Sequence, residues 1–198
     1  LALALVTGLA INAWRTSRAY RSSAEAALRD YAAFAAWTFR YRIEAQHYFI
    51  AMRAFRNLRS GGQDLSVLRA GLDDVLDCHC APAVEARYYL RADWLSKEGP
   101  PSRVLFDGPL VPDSATRIAR VEALAGAARE MPAYYEWSVA SGADAQGLPW
   151  VMFFALRTGP AKTERSLYAF EVDPETLRKH VYDWVFQTEP LLPAFSNK

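Results

Sequence analysis

At 198 residues and 52% apolar side chains, the chain is long enough for one domain with a sizeable core, alone or with a small extension. The net charge of +1 hides a polarity: nine Arg against three acids in residues 1–60 (+6), leaving 14 basic and 19 acidic residues beyond (−5). An acidic remainder would repel phosphate, which argues against a nucleic-acid partner. A basic amphipathic segment beside an apolar stub suits anionic lipid instead.

The stretch from Leu9 to Ser60 contains neither Gly nor Pro. If its 52 residues are all helical they cover ~78 Å, more than the width of a small domain. Residues 1–14 (LALALVTGLAINAW) are too short alone for the ~20 residues a bilayer needs. Three readings apply: the end of a transmembrane anchor, the apolar region of a signal peptide, or a buried helix. Trp14 followed by Arg15, Arg18 and Arg21 favours the anchor, because an aromatic-then-basic edge marks where a span meets the interface. These four residues are the candidate contact with lipid or a partner.

Residues 15–60 read as a long amphipathic helix. Positions 20, 24, 27, 31, 34, 38, 41, 45, 48, 52 and 55 alternate spacings of four and three, and only Thr38 is neither apolar nor aromatic. The stripe is too aromatic for an ordinary two-stranded seam, and it suits a sheet or a neighbouring subunit. Gly61-Gly62 ends the helix. Asp64 caps a second one, with Leu65, Leu68, Leu72, Val75 and Leu76 on one face.

Cys78 and Cys80, flanking His79, are the only cysteines. Three consecutive side chains do not converge easily on one ion and no second cluster completes a site, so no metal is expected. The pair is read as structural, bonded or reduced, with a redox role as the alternative. Residues 85–94 and 103–106 form a hairpin around a Gly/Pro turn. Asp113 or Ser114 then caps a helix with Ile118, Val121, Leu124 and Ala128 on one face, closed at Met131-Pro132. Strands follow at 133–140, 150–157 and 167–172, the second buried on both faces. Asp173-Pro174 starts a last helix whose buried face is Leu177, Val181, Trp184 and Val185.

Two strands, a helix and three strands, with tight connections, imply an α+β domain over residues 61–198. Its outline is PAS- or Cache-like: a five-stranded antiparallel sheet with flanking helices, preceded by the anchor and the long helix. A concave sheet face lined by Tyr88, Tyr135, Trp137, Trp150 and Phe154 is the candidate ligand pocket.

The ordered set of Ala26–Trp37, Cys78-His79-Cys80, Tyr88-Tyr89-Leu90-Arg91, Phe170-Glu171-Val172-Asp173-Pro174 and Glu189-Pro190-Leu191-Leu192-Pro193 resembles the extracytoplasmic sensor region of bacterial membrane-bound histidine kinases. The resemblance covers most of residues 24–193. It implies a single-pass protein of the bacterial inner membrane with its main domain in the periplasm. The Arg cluster after the apolar stub points the other way by the positive-inside tendency. Such kinases continue into a second span and a kinase body, which these residues do not contain. His47, His79 and His180 lack the context of a phosphoacceptor, so kinase activity is not carried over.

Catalysis is not expected, nor a cofactor. There is no Gly-rich phosphate loop, metal-ligand set or Gly-x-Ser-x-Gly elbow, and Asp73-Asp74 diverge on their helix. Two functions remain in view. One is a ligand-sensing input module. The other is an accessory subunit of a larger photosynthetic or respiratory membrane assembly, docked on its extracytoplasmic face against other membrane-protein subunits.

Overall fold

The computed structural model describes residues 2–58, 64–77, 84–94, 99–131, 137–158 and 164–188. The segment without helix breakers becomes one helix, α1 (Ala2–Arg56), which runs through residue 14 without interruption. The expected transmembrane helix is not found: among the described residues, no helix is long and apolar enough to cross a membrane. Within α1, Arg15 and Arg18 follow the apolar run at once. Gly61 and Gly62, expected to stop the helix, lie outside the described residues.

The chain divides into two compact units, Ile43–Val185 and Leu1–Arg42 with Phe186–Lys198. The larger one therefore begins inside α1 rather than at residue 61. In the smaller unit, Tyr20, Leu28, Tyr31, Phe34, Trp37 and Tyr41 stay exposed. Trp37 stacks on Tyr41 at 5.7 Å and lies 6.2 Å from Phe34. Phe39 meets Phe186 edge-on at 6.1 Å.

In the larger unit, α2 (Leu65–Asp77) precedes β1 (Ala86–Trp94) and β2 (Arg103–Asp107). Then come α3 (Ser114–Glu130), β3 (Trp137–Ala143), β4 (Pro149–Thr158) and β5 (Arg165–Val172). The chain continues as α4 (Pro174–Leu177), a π-helical turn (Arg178–Tyr182) and α5 (Asp183–Thr188). The five strands form one antiparallel sheet in the order β2-β1-β5-β4-β3, so α3 carries the chain from one sheet edge to the other. The side chain of Asp113 starts α3 by accepting from the Thr116 amide at 2.8 Å, and Asp173 caps α4 on the Thr176 amide. Gly108, at the turn after β2, has φ +139, and a Cβ there would sit 2.7 Å from the Tyr88 Cα. Only glycine fits both demands.

Alternation along each strand divides the core in two. Tyr89, Phe153, Tyr168, Phe170 and Val172 face α2 and the Ile43–Arg56 part of α1. Tyr88, Leu90, Trp150, Met152, Phe154 and Leu167 face α3. As expected, β4 is buried on both faces from Met152 to Ala155. The face that α1 buries differs in part from the expected one. Phe55 of the stripe is buried, but so are Ile50, Ala51 and Ala54, whereas Tyr48 and Met52 of the stripe are exposed. The cause is helix crossing: a Cβ on Gly71 of α2 would come within 2.5 Å of the Ala54 carbonyl oxygen. Contact this close selects small side chains at the crossing, and it leaves Tyr48 and Met52 of the stripe outside the core. In α3, Val121 and Leu124 are buried as read, but Ile118 is exposed and Arg120 is buried in its stead.

Candidate functional site

Two features occupy the α3 side of the sheet. The first is a buried charged cluster. Glu171 sits in β5 between Phe170 and Val172, and the pleat turns its carboxylate toward α3. Arg120 reaches down from α3 and its Nε donates to Glu171 Oε2 at 3.0 Å, with the two side chains 6% and 4% exposed. The Tyr88 hydroxyl donates to the same oxygen at 2.5 Å. The guanidinium of Arg120 lies 4.5 Å from the centre of the Trp150 ring, an energetically useful face for a cation. From the sheet surface, Arg87 Nη1 stands 3.7 Å from Glu171 Oε1. Burial, then the adjoining Glu171 carboxylate, pushes the Tyr88 phenol far above its ordinary value. Tyr88 therefore acts as a fixed donor. With donors on both sides the cluster is closed, and it joins the middle of α3 to the sheet centre.

The second feature is a cavity of about 820 Å³ alongside the cluster. On the sheet side it is walled by Trp94, Val104, Phe106, Leu156, Arg165 and Leu167; Arg165 is directly opposite Trp94 in the β1–β5 pairing. On the helix side Arg117, Ile118, Val121, Glu122, Ala125, Ala128 and Arg129 face it, with Pro100 and Pro101 closing one end. The run Ala125-Gly126-Ala127-Ala128 explains the space. Larger residues on this stretch of α3 would occupy it. The volume lies in the range of small-molecule sites, roughly 300–1,000 Å³.

Among the described residues, none of the expected pocket aromatics walls this cavity. Tyr88, Trp150 and Phe154 are core residues of the α3 face, and Tyr88 and Trp150 are tied to the charged cluster. Trp137 belongs to the opposite face, 5.8 Å from Tyr48 of α1. Tyr135 lies outside the described residues, as do Cys78 and Cys80. At the other expected contact, Trp14, Arg15, Arg18 and Arg21 are all exposed on α1, and the Arg18 guanidinium lies 5.3 Å from the Trp14 ring centre. The small residues at 125–128 of α3 were the hint to the cavity present in the sequence. Pairing them with Trp94 and Arg165 depends on strand register across some seventy residues, which no local pattern carries.

Across the sheet, His47 of α1 packs edge-on against Phe153 at 5.4 Å and lies 6.0 Å from Tyr182. Its Nε2 is buried without a hydrogen-bond partner among the described residues. Desolvation lowers its pKa, only partly opposed by Glu44. The folded state thus favours neutral His47, while the unfolded chain takes up a proton near pH 6.5. The stabilising contribution is complete above that pH and falls away as pH drops through 6.5 toward the folded value. The His47→Phe variant should show a flatter decline in urea stability from pH 7 to pH 5 than the parent, by at most about 1.4 kcal/mol per pH unit. Parallel curves would show that His47 is not the titrating group.

Comparisons with protein families, with curated proteins and with solved structures found no match.

Proposed function

We propose that the chain is a non-catalytic, membrane-anchored input module of sensor type, which binds a small molecule in the cavity beside α3. The observation that carries this reading is the cavity itself: apolar walls, a ligand-sized volume, and charged groups confined to a few positions. The order of two strands, one helix and three strands supports a PAS- or Cache-like domain, in keeping with the resemblance to histidine-kinase sensor regions. Leu3, Leu5, Val6, Leu9 and Ile11 are exposed on all sides of α1 rather than along one stripe. A helix apolar all round calls for an apolar surrounding, which supports anchoring of the N-terminal end in the bacterial inner membrane. The main domain then faces the periplasm.

A compound screen by thermal denaturation tests the reading. At least one small molecule should raise the melting temperature of the parent chain and leave Ala125→Leu, whose added side chain intrudes on the cavity, unshifted. If no compound stabilises the parent, or every stabilising compound acts equally on the variant, the reading fails.

The exposed aromatics of the smaller unit support a second reading. Among the described residues, Phe34, Trp37 and Tyr41 form an exposed run on α1, which suits docking in a larger membrane assembly. Purification in mild detergent should then yield stoichiometric partner subunits. A monodisperse single chain contradicts it.

A further inference from the structure

The charges around the cavity define what it would hold. Among the described residues, its walls carry Arg117, Arg129 and Arg165 against a single acid, Glu122. Arg117 is already engaged: its Nε donates to the Pro112 carbonyl at 2.7 Å, and its guanidinium lies 5.6 Å from the Phe106 ring centre. Arg129 and Arg165 are different. Among the described residues, neither has a carboxylate within salt-bridge distance, whereas the neighbouring Arg120 is fully paired. Arg165 is half-buried, on the same face of β5 as Leu167, with Trp94 across the strand pair. Arg129 is exposed at the end of α3. A half-desolvated, unpaired guanidinium beside apolar walls costs free energy until an anion meets it, and such a charge-assisted contact gains strength there.

We infer that the ligand of this cavity is an amphipathic organic monoanion. Its single carboxylate or comparable acidic group is held by Arg165, with Arg129 adding positive potential from the helix side. Its apolar body rests on Trp94, Phe106, Ile118 and Leu167. A second anionic group is disfavoured where it would approach Glu122 on the helix side, whose carboxylate repels it. This inference rests on the proposed role of the cavity and adds the chemical class of its occupant.

Isothermal titration of the 198-residue chain with 2-naphthoate, uncharged 2-naphthamide and 2,6-naphthalenedicarboxylate decides it. The monoanion should bind one to one, roughly tenfold or more tighter than either analogue, as a charge-assisted hydrogen bond allows. Arg165→Gln should bring 2-naphthoate down to the level of the amide and leave amide binding unchanged. Ala125→Leu should weaken both. Equal affinity for acid and amide, or preference for the dianion, overturns the inference; loss of binding in Ala125→Leu would then still uphold the cavity as the site. Naphthoate binding that Arg165→Gln leaves intact overturns it as well, as does the absence of binding by all three probes. Only the compound screen above bears on whether the cavity binds anything else.

Discussion

Replacing Arg120 by Met lowers the stability of the larger unit by about 3–5 kcal/mol, the cost of stranding a buried charge. The loss comes less from the missing attraction than from what remains. Glu171 keeps a carboxylate 4% exposed in the sheet centre, with Tyr88 as its one close donor and Arg87 at 3.7 Å. Trp150 also loses the cation against its ring. Glu171→Gln should cost less, because an amide oxygen still accepts from Tyr88, although Arg120 is then left without a counter-charge. The double variant Arg120→Met/Glu171→Gln should be clearly more stable than the two single losses added together, as coupled partners behave. Urea unfolding of the four proteins measures this. Strict additivity would mean that the pair is not the unit joining α3 to the sheet.

Phe170→Ala should be comparably severe, again about 3–5 kcal/mol. Phe170 is fully buried in β5, stacked on Phe153 of β4 at 5.2 Å with ring planes 7° apart. On its other side it meets Phe55 of α1 at 5.6 Å. Truncation removes one layer of this stack and leaves a cavity that β4 and β5, paired residue for residue here, cannot close. Phe170→Leu, which keeps most of the volume, should recover more than half of the loss. If the Leu and Ala variants are equally unstable, ring stacking rather than filled volume dominates at this position.

The two experiments bear on opposite faces of one strand, and the sequence disclosed those faces unequally. Most strand positions came through because alternation and turn residues are local; β3 instead continues to Ala143, past the expected end at 140. The hairpin at 85–94 and 103–106 matches β1 and β2 to within a residue, and Asp113 and Asp173 announce their helices. Tyr88, Trp150 and Phe154 share a face as their spacing implied, yet they fill the core instead of walling a site. The helices were less legible. Periodicity marked α1 as amphipathic but not which side would be buried, since that is set by Gly71 meeting Ala54. In α3, the apolar spacing of Ile118, Val121, Leu124 and Ala128 hid the exchange by which Arg120 goes inside and Ile118 faces the cavity. Its warrant is Glu171, 51 residues away. An acid between Phe170 and Val172 was the local trace of that arrangement. The membrane anchor rested on composition near residues 1–14, and among the described residues no helix is long and apolar enough to cross a membrane.

The proposed ligand enters beside α3, away from the α1–α2 face. Hydrogen–deuterium exchange of the full chain, with and without saturating 2-naphthoate, tests it most directly. Slower exchange is expected in Ser114–Glu130 and at the Trp94 and Arg165 ends of β1 and β5, with the amides of α2 unchanged. Protection confined to α2 and residues 43–56 of α1, or no protection anywhere, would contradict it.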